Sequence, residues 1–215
     1  MVKSLKTENF KYVYIPAIDI GQTRANKVMI VMHGLGDSKD SYVDFCKELN
    51  VSGLHYLIID GPIPYFFGNA WYDPPPEDHI RGINFSLDKI NLLIEELKKQ
   101  GLSSEDIFLT GFSQGGCIAL EYLYQCQEKV GGIIALSPKI YPLREGFRPA
   151  PHQLNTPIFL CHGLYDEVIP YQEMETRSQK LIDKGLNIFK RPYPIEHDID
   201  ITEIEDLRSW INELL

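Results

Sequence analysis

Short runs of apolar residues alternate with longer amphipathic stretches along most of the chain. The apolar runs are rich in β-branched and aromatic residues, and several are continuous, as is typical of strands buried on both faces of a sheet. They predict about seven strands, over residues 10–16, 27–32, 55–59, 106–110, 132–136, 157–161 and 186–191.

The stretches between these runs have helical periodicity. From Phe85 to Leu97, apolar residues recur at spacings close to three and four, so they share one face of a helix that Gly101 then terminates. The same pattern predicts helices near 40–49, 86–100, 114–127, 171–184 and 203–214. Strands that alternate with helices favour an α/β fold with a mostly parallel central sheet flanked by helices.

Two connections are longer than such a fold requires. Residues 60–84 and 137–156 are both rich in proline, glycine and aromatic residues. Long loops in a compact domain are usually functional or disordered, and the aromatic content favours packed loops that face a substrate. We therefore expect Trp71, Phe66 and Phe67 to contact the substrate, although a simple packing role is an alternative for each.

Composition narrows the class of protein. The 215 residues predict one domain over residues 1–215, because a domain typically takes roughly 100–200 residues. Apolar residues make up 44% and charged residues 24%, which excludes a disordered chain, a collagen-like rod and a disulfide-rich miniprotein. The net charge of −9 argues against nucleic acid and anionic membrane surfaces as partners.

The location of the protein is predicted from what the chain lacks. Its first residues show no apolar stretch of signal-peptide length, and runs such as 28–32 are far shorter than the roughly 20 residues of a membrane helix. We therefore expect no stable membrane insertion. The cysteines show neither CxxC nor zinc-site spacing, so we interpret them as reduced, buried thiols of a cytoplasmic protein. They are Cys46, Cys117, Cys126 and Cys161.

Residues 111–115 match the pattern G-x-S-x-G, with Ser113 at its centre. A predicted strand precedes the pattern and a predicted helix follows it, which is the setting of a nucleophile elbow. Such a turn strains the serine backbone and exposes its hydroxyl above the sheet. The alternative is an ordinary glycine-rich turn that happens to contain a serine.

A serine hydroxyl needs a base to take its proton. In this setting the chain order is serine, then an acid, then histidine. Asp166 follows the predicted strand 157–161, and His197 is the only histidine beyond it. Elimination therefore predicts Ser113, Asp166 and His197 as a catalytic triad. A turn-capping aspartate and a surface histidine are the alternatives.

The negative charge of an acyl-transfer intermediate must also be stabilised, usually by backbone N–H groups. One donor is expected from Gln114, the residue after the nucleophile. The other is expected from Leu35, in the sequence HGLGD at 33–37, which follows a predicted strand. The alternative for 33–37 is a plain glycine-rich turn, and we interpret His33 as stabilising this loop.

Five features together resemble the phospholipase/carboxylesterase family of α/β-hydrolases, which includes the acyl-protein thioesterases. They are HGLGD at 33–37, Trp71-Tyr72-Asp73, GFSQGG at 111–116, HGLYDEVIP at 162–170, and His197. The resemblance covers nearly the whole chain. It implies an α/β-hydrolase fold without a large cap domain, and hydrolysis of carboxylic esters or thioesters with Ser113 as nucleophile.

The resemblance also implies that His197 is the general base, that Asp166 orients it, and that Leu35 and Gln114 supply the oxyanion donors. It implies no metal, no organic cofactor and a weak homodimer. The expected substrate is a small-molecule or lipid-like acyl ester or thioester, or an acylated protein.

The chain departs from the family pattern at three positions. Glu196 precedes the catalytic histidine, where glycine is common, while Tyr72 and Cys117 stand where phenylalanine and alanine are common. A carboxylate at 196 would favour a protonated imidazole and repel anionic substrates, unless the side chain points into solvent. The departures leave open the acyl chain length and the leaving group.

Four rival interpretations remain at this point. A lysophospholipase is an alternative within the same chemistry. A non-catalytic ligand-binding relative is an alternative from another class, but such proteins usually lack a triad member. A dienelactone-hydrolase-like protein would carry cysteine at position 113. A peptidase would be expected to carry an added cap or propeller domain.

Overall fold

The computed structural model describes residues 4–18, 27–144 and 146–215. Its strands are β1 (Tyr12–Ile15), β2 (Lys27–Met32), β3 (Leu54–Ile59), β4 (Ile63–Tyr65), β5 (Gly68–Ala70), β6 (Ile107–Phe112), β7 (Gly132–Leu136), β8 (Ile158–Gly163) and β9 (Ile188–Tyr193). Seven of them form one sheet in the order β1-β3-β2-β6-β7-β8-β9, and β4 pairs with β5 in a separate hairpin. Only β1 is antiparallel to its neighbour within this sheet.

Helices cover both faces of the sheet. Alternate side chains of β2 point to opposite sides, so Ile30 belongs to one buried cluster and Val31 to the other. The α-helices of the described residues are α1 (Val43–Leu49), α2 (His79–Lys99), α3 (Gln114–Glu121), α4 (Pro151–Leu154), α5 (Tyr171–Ile182) and α6 (Ile201–Leu214). The cluster that contains Ile30 includes apolar residues of α2 and α3, and the cluster that contains Val31 includes residues of α1 and α6.

The predicted α/β class and the seven strands of a mostly parallel sheet are confirmed. Two details were wrong. Helix α2 begins at His79 rather than near residue 86, because the Asp78 side chain accepts the Arg81 N–H and caps the helix earlier. Phe85, which the apolar stripe included, is 46% exposed. The hairpin β4–β5 and the short helix α4 were not predicted.

Several expectations from composition can be compared with the structure. All four cysteines are buried and form no disulfide. No helix in the described part of the chain has both the length and the apolar character needed to cross a membrane. A single domain over residues 1–215 stays a prediction, since part of that range lies outside the described residues.

The topology determines where polar loops can meet. Strands β2, β6, β8 and β9 run parallel, so their carboxyl ends lie at one edge of the sheet. The loops that follow them carry residues 33–37, Ser113, Asp166 and His197. Loops at the carboxyl ends of parallel strands are the usual place for a site in an open α/β sheet.

Candidate active site

Ser113 lies between β6 and α3 in a strained backbone conformation, with φ of 52° and ψ of −111°. Its N–H donates to the carbonyl of Leu136 on β7, at 2.8 Å. A Cβ atom at Gly111 would collide with the backbone of Gly115, and one at Gly115 would collide with the backbone of Met32. The two glycines of the pattern are therefore required by close backbone packing around the serine.

The structure brings the three residues predicted as a triad into hydrogen-bond contact. His197 Nε2 lies 2.9 Å from Ser113 Oγ, and His197 Nδ1 lies 2.6 Å from Asp166 Oδ2. With Nδ1–H donated to the carboxylate, Nε2 is free to accept the proton of the serine hydroxyl. The arrangement can therefore activate a serine as a nucleophile.

The Asp166 carboxylate is buried and is held by more than His197. Its Oδ1 accepts the N–H groups of Val168 and Ile169, at 2.9 and 2.7 Å. His162 Nε2 lies 3.1 Å from Asp166 Oδ2 and 2.8 Å from the carbonyl oxygen of Ile169. Both oxygens are acceptors, so Nε2 of His162 carries the hydrogen.

His162 is thus a positioning residue to which the sequence analysis assigned no role. Burial lowers the pKa of its imidazole, which favours the neutral ring. The sequence feature that could have identified His162 is its place in HGLYD, four residues before Asp166. The turn between these two residues brings the aspartate back toward the end of the strand that carries His162.

The two residues predicted as oxyanion donors lie beside the serine. Gln114 is the first residue of α3, so its N–H has no acceptor within the helix and lies at the positive end of the helix dipole. No acceptor within the described part of the chain pairs with the Leu35 N–H. A Cβ at Gly34 would lie 3.7 Å from Ser113 Cβ, so this loop runs alongside the nucleophile.

Trp71 does not contact a substrate directly, because it is completely buried. Its backbone N–H donates to the side-chain oxygen of Gln114 at 2.7 Å, and its indole N–H donates to the carbonyl of His33 at 2.9 Å. The amide nitrogen of Gln114 donates to the carbonyl of Tyr72, also at 2.7 Å. Trp71 therefore braces the loops that carry Leu35 and Gln114, and the expected substrate contact was wrong.

His33 has both ring nitrogens occupied. Nδ1 lies 2.6 Å from the carbonyl oxygen of Gly34, and Nε2 accepts the N–H of Gly61 at 2.8 Å. Burial lowers the pKa of this imidazole, which favours the neutral ring. His33 is thus a bridge between two loops, in agreement with its interpretation as a loop-stabilising residue.

Phe66 and Phe67 lie at the tip of the β4–β5 hairpin, where they are 88% and 108% exposed. The hairpin is docked on residues 33–37 by two backbone hydrogen bonds of 2.9 Å, from Gly36 N–H to the Asn69 carbonyl and from Asn69 N–H to the Asp37 carbonyl. The structure does not bring either phenylalanine ring to the pocket beside Ser113, so neither forms the expected wall.

Two pockets flank the serine–histidine pair. The first, which we call the serine pocket, has a volume of about 300 Å³. Its lining consists of Leu35, Tyr72, Pro74, Pro75, Ser113, Gln114, Lys139, Tyr141, Val168 and Ile169. Half of these residues come from the two long loops singled out in the sequence, but the sequence did not indicate which side chains would face inward.

The second, which we call the histidine pocket, has a volume of about 600 Å³ and includes His197 in its wall. Its lining carries the carboxylates Glu167, Glu196, Asp198 and Asp200. Among the described residues, no group of three or more histidine, cysteine, aspartate and glutamate side chains is arranged to hold a metal ion.

Comparison with known proteins places this geometry in a family. A family model described as Phospholipase/Carboxylesterase matches residues 14–215. Lysophospholipase-like protein 1 of Mus musculus is 27% identical over 225 residues, which cover 93% of this chain and 92% of that protein. Acyl-protein thioesterase 1 of Kluyveromyces lactis is 29% identical over 213 residues, which cover 89% and 93% respectively.

Solved structures show the same fold. The carboxylesterase of Bacillus cereus has a TM-score of 0.81 at 18% identity, covering 97% of this chain and all of that one. Esterase PE8 has a TM-score of 0.79 at 23% identity, covering 96% and 99%. The family match, rather than these distant structural likenesses, identifies the chemistry. The chain belongs to the phospholipase/carboxylesterase family and is a carboxylic ester hydrolase with the α/β-hydrolase fold.

Proposed function

We propose that this protein cleaves carboxylic esters or thioesters through a Ser113-His197-Asp166 triad and a covalent acyl-enzyme. The observation that carries the proposal is the continuous hydrogen-bonded chain from Ser113 Oγ through both nitrogens of His197 to Asp166 Oδ2. A non-catalytic ligand-binding relative has no need for such a chain or for a strained serine.

The first half of the reaction forms the acyl-enzyme. Ser113 Oγ attacks the acyl carbonyl carbon while His197 Nε2 takes the hydroxyl proton. The carbonyl oxygen becomes an oxyanion, which the N–H groups of Leu35 and Gln114 stabilise. The imidazolium of His197 then protonates the departing alkoxide or thiolate, and the bond to the leaving group breaks.

The second half releases the acid. A water molecule gives a proton to His197 Nε2 as it attacks the acyl-enzyme carbonyl, and the tetrahedral intermediate collapses with return of the proton to Ser113 Oγ. Asp166 keeps the imidazole in the tautomer that both halves need. His162 and the two backbone N–H groups on Asp166 hold the carboxylate in place.

The proposed substrates are small-molecule or lipid-like acyl esters and thioesters, with acylated proteins included. The similarity to proteins named acyl-protein thioesterase 1 supports this class. Lysophospholipid hydrolysis is a second candidate, supported by the relative named lysophospholipase-like protein 1. The carboxylates of the histidine pocket favour neutral or cationic leaving groups over anionic ones.

Two further features are proposed. A cytoplasmic location rests on the four buried cysteines, which form no disulfide. A weak homodimer rests on the family resemblance alone.

The proposal is tested by replacing the nucleophile. Ser113→Ala should lower turnover of a p-nitrophenyl ester by a factor on the order of 10⁶, as in other serine-triad knockouts. Ser209→Ala, on the exposed face of α6, is the matched serine control and should retain wild-type turnover. Near-wild-type activity of Ser113→Ala would show that another residue carries the chemistry.

A further inference from the structure

The reaction geometry assigns different parts of the substrate to the two pockets. His197 must protonate the leaving group, so the leaving group has to lie on the side of the histidine pocket, whose wall contains His197. The acyl group then extends to the other side. That side is the serine pocket, which contains Ser113 and both proposed oxyanion donors.

The serine pocket is small, and its lining includes two tyrosines that pack against each other. At about 300 Å³ it lies at the lower limit of small-molecule pockets, and it must also hold the reacting carbonyl. Tyr72 is only 3% exposed, and its ring meets that of Tyr141 edge-on with centroids 6.0 Å apart. Tyr141 is in turn stacked on His79, with centroids 4.4 Å apart.

The backbone of Tyr72 cannot move away from an incoming chain. A Cβ atom at Gly82 of α2 would lie 2.7 Å from Tyr72 Cβ, so the helix is packed directly against this residue. On the opposite side, the carbonyl of Tyr72 accepts the hydrogen bond from the Gln114 amide. Tyr72 is therefore fixed from two directions.

The lining of the pocket is also polar. The Tyr72 hydroxyl lies close enough to the Cys117 thiol and the Tyr141 hydroxyl to interact with both electrostatically. Tyr72 and Cys117 are two of the three positions at which this chain departs from the family pattern, and the structure shows that they touch. A methylene chain that separated these groups would remove water and polar neighbours from buried polar atoms without offering a hydrogen-bond partner, which is unfavourable.

We propose that Tyr72 and Tyr141, with Cys117 behind them, form a closed polar floor that restricts this enzyme to short acyl groups. This inference rests on the proposed function, because it assumes that Ser113 carries the acyl group. The substrate class is then esters and thioesters of short-chain carboxylic acids, with long-chain lipids and long-chain acylated proteins as poor substrates.

The test is a series of p-nitrophenyl esters from acetyl to dodecanoyl, measured as kcat/KM. Each methylene that the pocket can bury should raise kcat/KM by about fourfold. We expect this rise to stop by hexanoyl in the wild-type enzyme. Tyr141→Ala removes one wall of the floor, and its ratio of octanoyl to acetyl kcat/KM should exceed the wild-type ratio by about tenfold or more.

Three controls keep the test decisive. Tyr141→Leu provides a smaller opening in the same direction if the alanine variant does not fold. Phe85→Ala removes an aromatic ring on α2 outside the serine pocket and should leave the chain-length profile unchanged. Ser113→Ala, measured with the acetyl ester, separates this inference from the proposed function.

The outcomes are distinguishable. Ser113-dependent hydrolysis that rises through dodecanoyl in the wild type would overturn the closed floor and leave the proposed function intact. If the wild type has a chain-length limit and neither Tyr141 variant shifts it, the assignment of that limit to these tyrosines would be overturned. Hydrolysis that survives Ser113→Ala would overturn the proposed function itself.

Discussion

The serine pocket and the histidine pocket share the same catalytic pair but are built differently. Tyr72 in the serine pocket is 3% exposed, whereas Tyr165 in the histidine pocket is 62% exposed. Buried hydrogen bonds fix the first pocket, and four carboxylates border the second. Under the proposed function, this difference means that the acyl group is selected by shape and the leaving group by charge.

Outside the triad itself, the largest effect on catalysis should come from His162, which lies outside both pockets. Replacing His162 by phenylalanine removes the hydrogen bond to Asp166, and a hydrogen bond to a charged group contributes about 1.5–3 kcal/mol. If the loss of this hydrogen bond weakens the orientation of the triad by that free energy, kcat/KM should fall about 10- to 100-fold for every ester. A fall confined to long or to charged substrates would show instead that His162 acts on one pocket.

The next effect is on the free energy of unfolding, and it comes from a buried carboxyl group on α6. Glu203 of α6 is 1% exposed, its Oε1 accepts the Cys161 thiol at 2.9 Å, and its Oε2 has no partner among the described residues. Burial raises the pKa of this carboxyl to about 7. The folded state therefore binds the proton more tightly than the unfolded chain, so stability falls as pH rises from about 4.5 through 7.

Glu203→Gln removes this titration. At pH 8 its free energy of unfolding should exceed that of the wild type by about 2–3 kcal/mol, and the difference should shrink toward pH 4.5. Urea unfolding at several pH values measures it. A difference that is independent of pH would contradict the raised pKa.

The smallest effect should come from the exposed carboxylate of Glu196. Exposed charge pairs contribute about 0.2–1 kcal/mol, so Glu196→Gly should improve esters with an anionic leaving group by roughly two- to fivefold. Esters with a neutral leaving group should change little, and high salt should remove the difference. An equal change for both kinds of ester would mean that the charge at this position does not select the leaving group.

The sequence predicted the triad residues and the loops of the site, because those depend on local patterns and chain order. The strand–turn–helix pattern identified Ser113, and only one histidine follows Asp166. The sequence did not predict that Trp71 is buried or that Phe66 and Phe67 are exposed. These differences depend on how the hairpin within residues 60–84 folds. Aromatic content marked a packed loop, while tertiary packing decided which rings face inward.

His162 and Tyr141 show the same limit. His162 contacts the acid only because the turn after β8 folds back on the strand end, and Tyr141 reaches the pocket through stacking on a helix distant in sequence. The departures at Tyr72 and Cys117 were visible in the sequence as separate substitutions. Only the fold shows that the two side chains are neighbours.

The central claim, that Ser113 carries the acyl group, is tested most directly by trapping the intermediate. The enzyme is mixed with p-nitrophenyl acetate, quenched in acid within milliseconds, digested and mapped by mass spectrometry. The account predicts one acetyl group on the peptide that contains Ser113, and none in the Ser113→Ala variant. Acetylation of a different residue that forms and decays as fast as the enzyme turns over would contradict the claim. Turnover with no acylated peptide at any quench time would also contradict it.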